Sequence, residues 1–232
     1  MKEIQDSAQL QAYMSQYGFQ DIFNEQLKSS MTLYDFERGE MICSQGDDAE
    51  TLYILVKGKI KVFTTSPEGR SLILNFTTPV EVIGDIEYVQ NIKIMNTVEA
   101  VTPVQMIGVP YRLMHRYGQD SPALLNFLLD VITRKFYQKN NTLRFNLLYP
   151  VEVRLASYLL SVTYDESDPG YQGKLSTLVL TDVANLIGTS YRHLNRTIRK
   201  MCQDGLIIRS KGFLLVKDRE GLSRIADNNI YE

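Results

Sequence analysis

The residues that carry the most chemical information lie between positions 180 and 201, on two helix-like segments separated by Gly188. In the second segment Leu194, Ile198 and Met201 recur at steps of four and three, which places them on one side of a helix. The opposite side is polar and basic, and such a side suits contact with the phosphates and base edges of DNA. The side chains that we expect at this contact are Thr189, Ser190, Tyr191, Arg192, Asn195, Arg196 and Arg199, together with Lys211 further along the chain.

These side chains suit different parts of a DNA duplex. Arg196 is the first choice for a contact with a base, because a guanidinium group can donate two parallel hydrogen bonds to guanine. Tyr191, Arg192 and Asn195 have side chains that either read bases or bind phosphate, and both roles stay open. The hydroxyl and ammonium groups that favour phosphate belong to Thr189, Ser190 and Lys211.

Local turn and cap chemistry favours a helix-turn-helix at these positions. Thr181 is a suitable N-cap for the first helix, Gly188 suits a tight turn, and Thr189 or Ser190 can cap the second helix. Beyond them, residues 205–216 predict a strand, a Lys-Gly turn and a second strand. A basic hairpin beside a helix-turn-helix is a wing, whereas the simpler alternative is a helix pair and a surface hairpin whose charges are only solvated.

The charge distribution supports a nucleic-acid partner. The 232-residue chain has a net charge of −2, yet residues 187–219 contain eight lysines and arginines and only two acidic residues. A basic patch on an acidic protein is typical of a surface that binds the phosphate backbone. We therefore expect double-stranded DNA as the partner.

The elements that must position this surface change in character along the chain. Residues 1–30 carry helix formers with loosely spaced apolar residues, which predicts short helices. From Leu33 to Val109, short β-branched and aromatic runs alternate with glycine-containing turns, as is typical of an antiparallel sandwich or barrel. A polar loop is predicted at residues 164–170. The clearest predicted strands are residues 52–56, 60–63, 72–76 and 104–107.

A long helix is predicted after Ser121-Pro122, with the serine as its N-cap and the proline in its first turn. It ends at Tyr149-Pro150, because a residue before proline is pushed out of the helical region. Apolar residues on it follow the spacing of a coiled-coil seam, which favours a homodimer. The same stripe also fits a helix that packs on its own β-domain. The seam residues are Leu125, Leu129, Ile132, Phe136 and Leu143.

These patterns predict an α+β fold in three parts. Residues 1–109 are expected to form N-terminal helices and an antiparallel β-roll, residues 110–149 a dimerisation helix and linker, and residues 150–232 a winged helix-turn-helix domain. No stretch of the chain has the length and apolarity of a membrane span, and its first residues lack the basic start and apolar run of a signal peptide. We therefore expect a cytoplasmic protein without membrane contact.

Other kinds of site find little support in the sequence. Cys43 and Cys202 lack the spacing of a metal knuckle, and both are expected to be reduced, buried thiols. A cupin-type enzyme is disfavoured, because residues 33–109 contain no histidine to hold a metal. The chain also lacks a nucleophile elbow and a phosphate-binding glycine loop. We expect no enzyme activity and no cofactor.

Short motifs along the chain add a family resemblance. They are Arg38-Gly39-Glu40, Gln45-Gly46-Asp47, the strand and turn at 53–62, Gly69, Gly84-Asp85-Ile86-Glu87, the helix-turn-helix at 180–201 and the segment 204–212. Together they resemble the CRP/FNR family of bacterial transcription regulators, and more closely its YeiL-type branch, over nearly the whole chain. The resemblance implies a cyclic-nucleotide-binding-type β-roll, a long dimer helix and a winged helix-turn-helix. It also implies a homodimer on DNA, with RNA polymerase as a further candidate partner.

The resemblance points to an effector pocket as well. Cyclic-AMP-binding members of the family place a Gly-Glu segment under the ribose and an Arg-Ser pair on the cyclic phosphate. Here Gly84-Asp85 matches the first place, whereas Ile94-Met95 takes the second and offers no side chain that neutralises phosphate. Lys93 is the only cation beside them in sequence. The resemblance therefore implies a pocket unsuited to cyclic AMP, with an effector that is unknown.

The recognition helix also departs from the common family pattern, in which an Arg-Glu pair is followed by a further arginine. Tyr191-Arg192 takes the first two places here, and Arg196 matches the last. We therefore expect a different target sequence. A ligand-binding regulatory subunit that acts on a protein partner stays open as an alternative, but it has no need of residues 180–216.

Overall fold

The structure is a computed structural model that describes residues 1–67, 69, 71–162, 174–176 and 180–226. The polar loop expected at residues 164–170 lies outside the described residues. The chain divides into two compact units, residues 1–135 and 136–232.

The N-terminal unit opens with short elements. A strand β1 (Lys2–Ile4) precedes helix α1 (Ser7–Gln16), a 3-10 turn (Phe19–Asp21) and helix α2 (Glu25–Lys28). The short helices expected at residues 1–30 are confirmed, whereas β1 was not predicted. Its three residues carry no apolar alternation, and it exists because it pairs antiparallel with the strand that follows α2.

Two antiparallel sheets form the body of this unit. The strand bounds are β2 Thr32–Phe36, β3 Met41–Cys43, β4 Thr51–Lys57, β5 Ile60–Thr65, β6 Ser71–Thr77, β7 Glu81–Ile83, β8 Thr97–Ala100 and β9 Val104–Pro110. The five-stranded sheet has the order β1-β2-β9-β4-β7, and the four-stranded sheet has the order β3-β8-β5-β6. The predicted strands at 52–56, 60–63, 72–76 and 104–107 lie within β4, β5, β6 and β9, and the expected α+β fold is confirmed.

Alternation along the strands builds two apolar cores. One core lies between the two sheets and includes Phe36, Leu55 and Ile60. The other lies between the five-stranded sheet and the helices, where Leu52 and Ile54 are fully buried. Successive strand residues point to opposite faces, so β4 supplies both cores at once.

Three helices complete the packing of the sheets. Helix α3 (Asp85–Gln90) lies between β7 and β8, and helix α4 (Tyr111–Tyr117) follows β9. Helix α5 (Pro122–Leu148) is the predicted long helix, and the hydroxyl of Ser121 accepts a hydrogen bond of 3.4 Å from the amide of Leu124. The helix ends immediately before Tyr149-Pro150, as expected.

The C-terminal unit contains the predicted helix pair and hairpin. Its core is apolar and includes Leu155, Leu180, Leu194 and Leu214. The elements are α6 Val151–Val162, β10 Lys174–Ser176, α7 Leu180–Leu186, α8 Tyr191–Gln203, β11 Ile207–Ser210, β12 Phe213–Val216 and α9 Arg219–Ala226. The three-residue strand β10 was not predicted, because its only support is its pairing with β12 in a sheet of order β10-β12-β11.

Candidate nucleic-acid interface

Helices α7 and α8 form a helix-turn-helix around Gly188. Gly188 has a φ of +64°, a left-handed conformation that glycine adopts at little cost. Ser190 has extended backbone, and its hydroxyl accepts a 3.2 Å hydrogen bond from the amide of His193, so it is the N-cap of α8. The expectation that Thr181 caps α7 is wrong, because α7 already includes Leu180 and an N-cap residue lies outside the helix.

Helix α8 separates its apolar and polar residues by face. Leu194, Ile198 and Met201 are fully buried, as their spacing predicted. The polar face is open to solvent, and Tyr191 keeps 48% of its surface exposed. Of the expected contact residues, Ser190, Tyr191, Arg192, Arg196 and Arg199 are exposed, and Thr189 and Asn195 are half-buried. The structure therefore brings this set together on and beside one face of one helix.

A buried arginine fixes the turn between the two helices. Arg154 of α6 is only 7% exposed, and its Nη1 donates to the carbonyl oxygens of Ile187 and Gly188. These are carbonyl groups at the end of α7 that lack a partner within the helix. Sequence analysis did not find Arg154, because nothing local to α6 indicates which backbone its guanidinium will meet.

The hairpin β11–β12 lies beside α8 as a wing. Ser210 pairs with Phe213 in the antiparallel register, and Lys211 and Gly212 form the turn, with Gly212 at a φ of +86°. The strand, Lys-Gly turn and strand predicted at residues 205–216 are confirmed. Lys211 is exposed at the tip of this wing, where an ammonium group can reach a phosphate.

A side-chain hydrogen bond joins the wing to the recognition helix α8. Nη1 of Arg209, on β11, donates to Oδ1 of Asn195 at 2.7 Å. The Asn195 amide nitrogen in turn donates to the backbone oxygen of Tyr191 at 3.0 Å. Arg209 belongs to the basic stretch of the sequence, but its pairing with α8 was not predicted.

The residues expected at an effector pocket lie in the N-terminal unit, around the start of α3. Gly84 has a φ of +91°, and its carbonyl accepts the Tyr111 hydroxyl. Burial raises the pKa of Tyr111, so the hydroxyl stays protonated as a donor. Asp85 is 2% exposed, and Oδ1 of this carboxylate is 2.8 Å from Nζ of Lys135 on α5. The same Nζ is 3.1 Å from Glu81 and also donates to the carbonyl of Val82.

The other expected pocket residues do not converge on Asp85. Lys93 is exposed and pairs with Asp48 at 3.2 Å, whereas Ile94 is buried in the apolar interior. Met95 exposes its side chain, and its backbone amide donates to Oε1 of Glu87 at 3.0 Å. The backbone amide that follows Ile94, which is that of Met95, is therefore already hydrogen-bonded to a carboxylate of the chain itself.

Lys135, the cation beside Asp85, was missed by sequence analysis. It follows Leu124, Leu128 and Val131 at steps of four, three and four, and those three residues are buried against the sheet. That spacing was visible in the sequence and identifies an inner stripe on α5. What the spacing alone could not reveal is that an acidic pair, Glu81 and Asp85, lies where the stripe ends.

The expected seam residues lie on another face of α5. Leu125, Leu129, Phe136 and Leu143 are exposed by 51% to 69%, and Ile132 is half-buried. Within the N-terminal unit, Leu125 and Leu129 therefore do not pack on their own β-domain. The inner stripe performs that packing instead.

Within the described residues, no three metal-binding side chains come together. Burial raises the pKa of the Cys43 thiol to about 12, which makes it a poor nucleophile. None of the described helices combines the length and apolarity that crossing a membrane requires.

Comparisons with known proteins agree with both units. A cyclic nucleotide-binding domain matches residues 34–120, and a Crp-like helix-turn-helix domain matches residues 153–225. With the geometry described above, these matches define a DNA-binding transcription regulator that combines a β-rich cyclic-nucleotide-binding-type domain with a helix-turn-helix. The chain belongs to the CRP/FNR family of regulators.

Individual relatives are distant but cover most of the chain. The chain is 26% identical to the regulatory protein YeiL of Escherichia coli O157:H7, over 92% of this chain and 94% of that protein. It is 25% identical to a CRP-like cAMP-activated global transcriptional regulator of Mycobacterium tuberculosis, over 83% and 87% of the two proteins. Its fold matches that of a CRP/FNR-family protein from Eubacterium rectale with a TM-score of 0.79, at 18% identity over 93% and 99% of the two chains.

Proposed function

We propose that this regulator binds double-stranded DNA as a homodimer, and that it does so without cyclic AMP. The observation that carries the proposal is the polar face of α8, which is capped by Ser190 and flanked by a basic wing. A helix is narrow enough to enter the major groove, and its first residues then meet base edges. In this arrangement Arg196 donates to a guanine, while Arg192 and Arg199 lie along the same face.

The remaining contacts fix the helix on the duplex. Hydroxyl and ammonium groups at the edge of a recognition helix contact phosphate more often than bases. We assign phosphate contacts to Thr189, Ser190 and Lys211, and a base or phosphate contact to Tyr191. Asn195 belongs to the same surface.

The dimer is inferred from the two stripes of α5. Its inner stripe is buried in its own unit, whereas Leu125 and Leu129 expose 51% and 61% of their surface. An exposed apolar stripe with coiled-coil spacing buries itself best against a second copy of the same helix. A two-fold dimer carries two copies of α8 and binds an inverted repeat whose half-sites lie about one helical turn apart.

Independence from cyclic AMP is inferred from the charges around α3. A buried cyclic phosphate needs a cation and a hydrogen-bond donor, whereas Ile94 and Met95 supply no charge and Lys93 is held by Asp48 on the surface. The acidic side chains are also engaged, because Asp85 pairs with Lys135 and Glu87 accepts the Met95 amide. This differs from the Mycobacterium tuberculosis relative, whose name describes it as activated by cAMP.

We further propose that the three parts predicted from the sequence have separate roles. Residues 1–109 form the sensory domain, 110–149 the dimerisation helix and linker, and 150–232 the DNA-binding domain. We assign the protein to the cytoplasm, where its DNA is, and RNA polymerase remains a candidate partner for activation.

The test is a selection from random genomic fragments with purified full-length protein and no added nucleotide. Sequencing of the retained fragments is expected to yield one inverted-repeat motif. A matched selection with added cyclic AMP is expected to give the same motif at the same enrichment. If no motif is enriched without cyclic AMP but one appears with it, the proposed independence from the nucleotide is wrong.

A further inference from the structure

The amide of Asn195 makes two hydrogen bonds within the protein. Its nitrogen donates to Tyr191 O at 3.0 Å, and its oxygen accepts from Arg209 at 2.7 Å. An asparagine that reads adenine needs both groups, because it accepts from N6 and donates to N7 of the base. The two contacts use one of the two N–H donors and one of the two acceptor positions of the Asn195 amide, and they hold its side chain toward Tyr191 and Arg209.

The contact leaves most of the Arg209 guanidinium free for another partner. A guanidinium has five N–H donors, and Asn195 uses one of them. Arg209 is exposed, and no carboxylate pairs with it in the part of the chain that the structure describes. The planar group is therefore held at one edge while its other edges face solvent.

The position of Arg209 on its strand is fixed by packing. Residues two apart on a strand share a face, so Arg209 lies on the same face as Ile207, which is 1% exposed in the core beneath α8. Across the hairpin Arg209 pairs with Leu214, which is also 1% exposed. The strand thus has little freedom to slide, and its arginine leaves the core beside the middle of α8.

We propose that Arg209 binds a DNA phosphate and that Asn195 is a positioning residue that holds its guanidinium for this contact. The inference rests on the proposed function, in which α8 enters the groove. Elements beside a recognition helix meet the sugar-phosphate backbone that borders the groove, and arginine binds phosphate with two parallel hydrogen bonds. Holding the side chain in advance reduces the rotamer entropy that is lost on binding.

The experiment measures binding of full-length variants to the selected inverted repeat and to a scrambled duplex at several salt concentrations. Arg209→Ala is expected to weaken both by a similar factor, about tenfold or more for a lost charge-assisted hydrogen bond. The slope of log affinity against log salt is expected to fall by about one per half-site. Arg224→Ala is the control, because Arg224 is an exposed arginine on α9 that pairs with Asp218, and it is expected to change neither quantity.

Asn195→Ala separates positioning from base reading. If Asn195 acts through Arg209, its removal weakens both duplexes to a smaller extent, and it has no further effect in a chain that already carries Arg209→Ala. If Asn195→Ala weakens binding to the selected repeat alone, and does so also in a chain that carries Arg209→Ala, then Asn195 reads a base. That result overturns the proposal. Thermal unfolding of each variant by circular dichroism identifies any that lose binding by unfolding.

The binding measurements distinguish an error in the role of Arg209 from an error in the proposed function. Wild-type protein that binds the repeat while Arg209→Ala binds equally well contradicts the role of Arg209 alone. Wild-type protein that binds no duplex contradicts the proposed function, and the inference falls with it.

Discussion

Asp85 illustrates how one buried charge depends on one partner. Its side chain is 3% exposed, Lys135 is the cation that neutralises it, and Oδ2 has no hydrogen-bond partner among the described residues. A buried carboxylate that loses its cation keeps the cost of desolvation without compensation. The attachment of α5 to the β-roll therefore includes an ionic contact in addition to its apolar stripe.

Replacing Lys135 by methionine is expected to destabilise the protein by on the order of 3 kcal/mol, because Asp85 stays buried without a partner. Urea unfolding followed by circular dichroism measures the change. The matched control is Lys93→Met, which breaks an exposed pair and is expected to cost less than about 1 kcal/mol. Equal losses in the two variants would contradict the role given to Lys135.

Arg196→Ala is expected to remove about 1–3 kcal/mol of specific binding, which is the usual cost of losing a bidentate contact with guanine. Fluorescence anisotropy with the selected repeat and a scrambled duplex measures it, and the loss should be confined to the repeat. Lys200→Ala is the control on the same helix, because Lys200 pairs with Glu152 at 2.9 Å. Unchanged binding of Arg196→Ala to the repeat rules out the base contact.

The thiol of Cys43 is expected to be unreactive in the folded protein. A pKa of about 12 leaves almost none of it as thiolate at pH 8, and the thiolate is the nucleophile. In a Cys202→Ser background, alkylation by iodoacetamide followed by mass spectrometry should be slow in buffer and fast in urea. Rapid modification of the folded protein would show that burial does not protect this thiol.

At the scale of elements, the local sequence pattern was sufficient to predict secondary structure wherever a residue's neighbours along the chain decide its conformation. The alternation in β4, the Ser190 cap and the left-handed Gly188 all depend on nearby residues, and all were predictable. Strands β1 and β10 were not, because three-residue strands exist only through their pairing with β2 and β12. The contact of Arg209 with Asn195 was not predictable either, because it joins two different elements that meet only in the folded unit.

Helix α5 gives a prediction about assembly. Leu129→Glu puts a charge in the exposed stripe and is expected to shift the protein from dimer to monomer, because two copies of the charge meet in a seam. Sedimentation velocity over a concentration series measures the shift. Ala123→Glu is the control, since Ala123 is exposed on the opposite side of the helix. A stable dimer in the Leu129→Glu variant would place the dimer contact elsewhere.

At the scale of the whole molecule, a chain of net charge −2 has one stretch in its C-terminal unit, residues 187–219, in which basic residues outnumber acidic ones by eight to two. This concentration allows an acidic protein to bind a polyanion through one surface, and it makes binding sensitive to salt. The family, the fold and the location of the DNA-binding helix were all accessible from such patterns. The ion pair of Asp85 with Lys135 was not, because residues 50 positions apart meet only in the folded unit.

Homodimeric DNA binding without a nucleotide is tested most directly by the mass of the complex. Sedimentation equilibrium with a duplex that carries one selected inverted repeat, in buffer free of cyclic nucleotides, gives the number of chains per duplex. Two chains per repeat, with much weaker binding to a duplex that carries a single half-site, is the predicted result. One chain per duplex, with equal affinity for the repeat and the half-site, would contradict it.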